Sequence, residues 1–360
     1  MRYELLDIVC CPDCGSRLQL AGESANRGRI DAGSLICTGC ARQYPVVKGI
    51  PQLYLDDESW LPKKIEAQGW VDLHKQQGIY EPDEDAVDLS VPYVDEGPWP
   101  PIAKAFDLAL ERLDISGEER VLDLGAGRGW AAKHFALRGC RAVAMDIVPD
   151  ENIGLGRSYA LMKQAQVEFD PLIGDGEKLP FFPGTFDIVF CCAVLHHATD
   201  LPLLLKNINH VLKSGGVLCA ISEPCLSIWQ NEEQVLQDVA GDELSLGINE
   251  SILTFGQYLA GLDSVGLQVV QAFPSDCYGG ENTDWPQVAQ SMGATWSGFD
   301  TKSPLRSLKG SAGHLARQSI ALVRGTAPPA YHHVREEDSK AQAAILTWCG
   351  GELFLLARKP

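Results

Sequence analysis

The chain of 360 residues has no long apolar run: its longest, Ile188 to Leu195, spans eight residues, where crossing a bilayer as a helix takes roughly 20. A membrane-spanning helix is therefore not expected, and the mean hydropathy of −0.06 agrees. Positive charge is also short. Lys and Arg number 30 against 48 Asp and Glu, a formal net charge of −18. Such a field repels a polyanion at long range, which disfavours a broad nucleic-acid footprint. The first residues lack the basic start and apolar stretch of a secretory signal, because Glu4, Asp7 and three cysteines by position 14 occupy that region. A cytoplasmic location is the expectation. In that compartment twelve cysteines point to metal ligands and small buried apolar groups rather than to disulfides.

Spacing selects four of the twelve. Cys11-Pro12-Asp13-Cys14 and Cys37-Thr38-Gly39-Cys40 are two C-x2-C pairs separated by 22 residues. Each turn aims two sulfurs at one ion, and two turns complete a tetrahedral four-thiolate zinc site with no open position, so its role is expected to be structural. Leu18 to Leu20, Ile30 to Ile36 and Tyr44 to Val47 read as short strands around it. Cys10 is one cysteine too many and is taken as a neighbour. Cys-Pro-x-Cys with Leu18, then Cys-x2-Cys followed by Tyr44-Pro45-Val46 and Gly49-Ile50-Pro51, resembles the small bacterial zinc-ribbon family related to the activator subunit of tRNA and release-factor methyltransferases.

Residues 57–101 change in composition. Between Tyr80 and Pro101 seven acids occur without a Lys or Arg, which predicts a linker or lid rather than a core element. Trp60, Trp70, Tyr80, Tyr93 and Trp99 either line a substrate pocket or pack this stretch onto its host.

From Ile102 helices and continuous apolar strands alternate: a helix to Leu113, strands at 120–124, 141–145, 187–192 and 217–221, and a helix from Trp130. The pattern predicts a doubly wound α/β domain with a parallel sheet. The first strand runs into Asp123-Leu124-Gly125-Ala126-Gly127-Arg128-Gly129, whose glycines let backbone approach a ligand closely. Trp130 stands where the dinucleotide fingerprint needs its third small residue, which argues against NAD. Asp146 ends the second strand, where a carboxylate accepts hydrogen bonds from both hydroxyls of an adenosine ribose.

These motifs, together with Gly174-Asp175, Leu179-Pro180-Phe181, Phe186-Asp187, Leu195-His196-His197 and Leu212-Lys213-x-Gly215-Gly216, resemble class I S-adenosylmethionine-dependent methyltransferases, in particular the group that includes the quinone-biosynthesis enzymes. The resemblance implies a Rossmann-like methyltransferase sheet over 102–275, S-adenosylmethionine as cofactor, Gly125 and Gly127 against its methionine part, Asp146 on its ribose, and Asp175 with Gly176 at its adenine. It also implies a backbone carbonyl near Cys191 for the cofactor's amino group, and leaves Asp123 either touching the cofactor or bracing the glycine loop.

Ligands in such folds bind at the carboxyl ends of the strands, which selects His196, His197 and Glu223 as candidate bases, with a packing role equally open for His197. Residues 276–360 are expected to form a substrate-side insertion over the active-site edge and a last strand at 352–358. Between Asp300 and Glu336 it carries Lys302, Arg306, Lys309, Arg317, Arg324 and Arg335 but no acid, either as a solvated face or as a site for an anionic group or RNA. The zinc ribbon carries six cations against five acids before Asp56, too even a balance for an RNA-binding patch. The leading expectation is methyl transfer to O or N of a small-molecule, glycan or natural-product acceptor. The runner-up is a tRNA or protein methyltransferase with a built-in activator-like ribbon. A cofactor fold kept only as a scaffold is third, and the intact glycine and acidic positions weigh against it.

Overall fold

A computed structural model describes residues 1–26, 29–80, 89–294 and 335–360. At its centre lies a parallel sheet whose strands are the apolar runs identified above: β5 (Arg120–Leu124), β6 (Arg141–Asp146), β7 (Asp170–Gly174), β8 (Phe186–Cys192) and β9 (Leu212–Leu226). β9 is longer than the apolar run at 217–221 because its ends pair with flanking strands. Two antiparallel strands, β11 (Gln268–Pro274) and β12 (Gly351–Arg358), complete one side, so the order there is β7-β6-β5-β8-β9-β12-β11. The strand order reverses between β5 and β8. In doubly wound sheets that is where the carboxyl ends open a crevice for ligands.

The N-terminal module forms a meander of β1 (Leu18–Asn26), β2 (Arg29–Cys37), β3 (Gln43–Val47) and β4 (Ile50–Leu53). Its last strand lies beyond the three expected there. β4 pairs in parallel with β7, Gln52 opposite Ile173 and Leu53 opposite Gly174, so the meander extends the central sheet. Leu5, Val9, Leu35, Tyr44 and Leu53 share one buried cluster with Leu122, Met145, Leu172 and Phe181. Arg2 grips the buried Asp170 with two parallel bonds, Nε to Oδ1 at 3.0 Å and Nη2 to Oδ2 at 2.6 Å. Arg29 and Lys48 add ion pairs to Glu168 and Glu151.

Between the module and the core, α1 (Leu61–Gln76) is a full helix where the composition suggested a linker. Its Ala67 and Val71 pack on Val148 and Ile153. α2 (Trp99–Leu113) begins three residues before the expected start, with prolines in its first turn, where the missing N–H costs nothing. α3 (Trp130–Leu137), α4 (Ser158–Ala165) and α5 (Leu201–Val211) cover the sheet between its strands. They are followed by α6 (Glu232–Ser245), the two-residue strand β10 (Leu253–Thr254) and α7 (Phe255–Ser264), which opens with a capping box between Thr254 and Gln257.

The described ends of the 276–350 stretch are α8 (Trp285–Ser291) and α9 (Glu336–Trp348). Trp285, Ala289, Ala341, Ala344 and Ile345 belong to the cluster that holds Phe273 and Phe354 of β11 and β12. These helices thus cover the far side of the sheet. The cationic positions 302–324 lie outside the described residues, and Arg335 pairs with Asp338.

Candidate active site

The carboxyl ends of β5, β6, β7 and β8 open into a cavity of about 1060 Å³, roofed by α1 and by residues 90–99. The upper bound for typical small-ligand pockets is about 1,000 Å³, so the space admits a cofactor and a second molecule of modest size. Among the described residues, none of 1–56 and none of 276–294 or 335–360 lines it.

Its donor end is built by the glycine loop. Gly125 has φ +67°, and a Cβ there would stand 2.4 Å from Val194 Cγ2, so only glycine fits between the loop and the strand beside it. Gly127, at φ +55°, faces open space, which a side chain would occupy at the cost of a strained backbone. Asp146 lies beneath this loop. Its Oδ2 accepts from the Gly127 N–H at 2.7 Å and its Oδ1 from the Val148 N–H at 2.8 Å. Each oxygen keeps a lone pair for a further donor. Burial pushes its carboxyl up to about 6, although the N–H groups of Gly127, Val148 and Ile147 pull the other way. Asp175 caps a short turn through the Glu177 N–H at 2.9 Å, and Asp175 and Gly176 both line the cavity.

Two of the expected cofactor residues stand behind the wall. Asp123 accepts from the Ala132 N–H at 2.8 Å at the start of α3 and does not line the cavity. Of the two roles open to it, this geometry is the bracing one. Burial, against that bond, pushes its carboxyl up to about 7. Cys191 is fully buried within β8, and the backbone that reaches the cavity there belongs to Ala193 and Val194. Its thiol is held far above its ordinary value, first by burial.

At the opposite end the three base candidates meet. His196 Nδ1 is 2.9 Å from Glu223 Oε2. Glu223 itself has no exposure and faces no cavity. Its carboxylate accepts from the N–H groups of Val194 (2.8 Å), Leu195 (2.9 Å) and His196 (3.3 Å). Burial raises it, yet His196 and those N–H groups together hold it below the usual carboxylate range. A carboxylate so fully engaged orients His196 and cannot reach an acceptor. Conversely, burial depresses His196, and the bond and charge of Glu223, with Glu250, outweigh this and raise it. His197 donates from Nδ1 to the Asn249 carbonyl at 2.6 Å and meets the Trp70 ring edge-on at 5.6 Å. Burial and the neighbouring His196 push it down to about 3.

Of the aromatics expected at a pocket or in packing, Trp70, Tyr93 and Trp99 line the cavity, whereas Lys63, Glu66 and His74 on the same face of α1 were not singled out. Lys63, Glu66, Trp70 and His74 recur at intervals of three and four, one helical face, and that periodicity was the available signal. Lys63 Nζ pairs with the buried Glu66 at 3.2 Å, and burial pushes Glu66 up to about 7. Glu250, also raised to about 7 by burial, closes the same end, 3.6 Å from His196 Nε2.

The four paired cysteines converge as well. Cys11 and Cys40 Sγ are 3.6 Å apart, Cys14 and Cys37 Sγ 3.4 Å, and the N–H groups of Gly39 and Cys40 point at Cys37 Sγ. Sulfurs at such separations suit a zinc ion with bonds of roughly 2.3 Å. Cys10 stays outside this group, its N–H donating to the Pro180 carbonyl at 2.8 Å.

Comparison with known proteins agrees with this layout. Residues 122–220 match the family described as methyltransferase domain, and residues 2–49 match Trm112p-like protein. The chain carries a class I S-adenosylmethionine methyltransferase domain behind a Trm112-like module. An uncharacterized methyltransferase of Synechocystis is 35% identical over 124 residues, 34% of this chain and 55% of that one. The ubiquinone biosynthesis O-methyltransferase of Xanthomonas euvesicatoria is 32% identical over 128 residues, 34% of this chain and 52% of the relative. The chain thus spans about half the length of these curated relatives. Among solved structures, the complex of the Haloferax volcanii Trm112 methyltransferase activator with a methyltransferase is similar at TM-score 0.42 and 16% identity, over 85% of this chain and 99% of that one. Among the described residues, no helix is long and apolar enough to cross a membrane.

Proposed function

We propose that the protein transfers a methyl group from S-adenosylmethionine to an oxygen or nitrogen of a small or glycan-sized acceptor. The observation that carries this is the cavity itself. One end presents the Asp146 carboxylate, Asp175 and the open face of Gly127, and the other presents His196, Glu250 and Glu66 beneath Trp70. Bound S-adenosylmethionine supplies an electrophilic methyl group on its sulfonium. Asp146 accepts the ribose hydroxyls, Asp175 and Gly176 take the adenine, and Gly125 and Gly127 allow the methionine part to lie against backbone. Alignment in such a closed site is worth up to roughly 7–11 kcal/mol of the barrier. α1 and residues 90–99 exclude water and hold the acceptor. With Nδ1–H fixed on Glu223, His196 turns Nε2 toward the acceptor, where it can take a hydroxyl proton.

The Trm112-like module binds zinc through Cys11, Cys14, Cys37 and Cys40 in a structural role. The β4–β7 pairing supports a role for the module at that seam. Methyl-labelled S-adenosylmethionine offered to a metabolite extract and to total tRNA tests the acceptor class. Label in small molecules is expected, and label in tRNA instead would overturn it.

A further inference from the structure

The acceptor end contains more than a base. His196, His197 and Glu250 each bring one donor atom to within 4.8 Å of the others. The partners of the two imidazoles fix their tautomers, because a carboxylate and a carbonyl only accept. His196 Nδ1 faces Glu223 Oε2 at 2.9 Å, and His197 Nδ1 faces the Asn249 carbonyl at 2.6 Å. Both Nδ1 atoms therefore carry hydrogen, which leaves the Nε2 lone pairs available. An Nδ1–H held by a carboxylate or backbone carbonyl is the second-shell arrangement that orients metal-binding histidines. Glu250 supplies the anionic oxygen, 3.6 Å from His196 Nε2 and 3.5 Å from His197 Nδ1, and among the described residues its carboxylate has ion-pair contacts only with these two histidines. All three residues line the cavity, so an ion there keeps positions open on the acceptor side.

We infer that His196, His197 and Glu250 form a second metal site, for a first-row divalent transition cation, at the acceptor end of the cavity. Two imidazoles and one carboxylate suit such ions better than Mg²⁺ or Ca²⁺, which prefer all-oxygen shells. Bonds of roughly 2.0–2.2 Å need these donors, now within 4.8 Å of one another, to draw together and His197 to turn Nε2 inward, a rotamer adjustment. The site differs in kind from the four-cysteine cluster, being open where that one is closed. In use, an acceptor hydroxyl bound to the ion loses its proton to water more readily. The ion would then do what His196 Nε2 does unaided. This use rests on the acceptor-end reading above, but the binding does not.

Mn²⁺ is the discriminating probe, since four thiolates disfavour it. The zinc-loaded protein is titrated with Mn²⁺ alone, and the free ion is followed by electron paramagnetic resonance. One Mn²⁺ per chain is expected, with affinity at least tenfold weaker in Glu250→Gln and in His196→Gln. The melting temperature and S-adenosylhomocysteine affinity of each variant establish that it is folded. Glu250→Gln carries the test if His196→Gln does not fold. Absence of Mn²⁺ binding, or binding that survives Glu250→Gln, overturns the metal site. S-adenosylhomocysteine binding without Mn²⁺ binding removes the metal site and leaves the methyltransferase reading intact. Mn²⁺ binding without S-adenosylhomocysteine binding does the reverse.

Discussion

Asp146→Asn isolates the charge on which cofactor binding is argued to depend. The carboxylate accepts from Gly127 N–H at 2.7 Å and Val148 N–H at 2.8 Å, which leaves both oxygens aimed at the cavity with a lone pair each. Asparagine keeps the shape and one acceptor, but its amide nitrogen can no longer receive a ribose hydroxyl. Losing one charge-assisted hydrogen bond costs roughly 1.5–3 kcal/mol, or about 10- to 150-fold in affinity. The fold should suffer less. The native carboxyl is raised to about 6 by burial, so its folded value lies above its unfolded one, and ionising it lowers stability as pH rises through that interval. Asparagine removes this cost while forfeiting part of one backbone contact, two effects of opposite sign. Calorimetry with S-adenosylhomocysteine at pH 8 should show the affinity loss at a nearly unchanged melting temperature. Wild-type affinity should also fall as pH drops below about 6, where the carboxyl takes up a proton, and this dependence should vanish in the variant. Equal affinity of the two proteins at pH 8 would refute the assignment of Asp146 to the ribose.

Cys11→Ser with Cys37→Ser should take zinc from near one ion per chain to background by elemental analysis and lower the melting temperature, whereas Cys10→Ser should keep the ion. Arg2→Ala leaves Asp170 buried without its fork, at a cost of about 1–3 kcal/mol by urea unfolding. Combining it with Asp170→Ala should cost less than the sum of the single changes, and strict additivity would mean that the pair does not join the module to the core. Glu223→Gln should reduce turnover about 10- to 100-fold by freeing His196 to rotate, with S-adenosylhomocysteine affinity preserved. Undiminished turnover would show that Glu223 only packs.

The parallel core was legible because its strands are continuous apolar runs, and a strand buried on both faces leaves that mark wherever it occurs. The four-cysteine cluster was legible because knuckle spacing is local. The β4–β7 pairing was not: Ile50 to Leu53 is four residues beside a glycine turn, and nothing in their pattern names a partner more than a hundred residues away. The face of α1 was missed for a different reason. Trp70 was named as a possible pocket residue, but Lys63, Glu66 and His74 are the residues of a solvated helix, and only the cavity above them gives their spacing meaning. Glu223 was misjudged in role. It was expected after the fifth strand, where a base would stand, but it lies within β9, and three backbone N–H groups and His196 have already used its oxygens. The described parts of 276–294 and 335–350 resemble an insertion in sequence, yet Trp285, Ala341 and Ile345 are apolar enough to bury, and they do so against β11 and β12.

The seam explains why a metal module belongs on this chain. Without β4, β7 would be the edge of the parallel sheet, a row of unpaired N–H and C=O groups on an apolar strand, which invites association with other chains. β4 covers that edge, and four residues cannot hold themselves extended. They are held by the meander, and the meander, with little core of its own, is held by its cysteines. The register then carries the consequence inward. Leu53 pairs with Gly174, and the next residue is Asp175, at the adenine end of the cavity. Beside it, β6 pairs Asp146 with Ile173, one residue before. The strand that the module covers therefore lies beside both carboxylates proposed to hold the cofactor. The ribbon's contact with the cavity wall is thus the backbone pairing of Leu53 with Gly174.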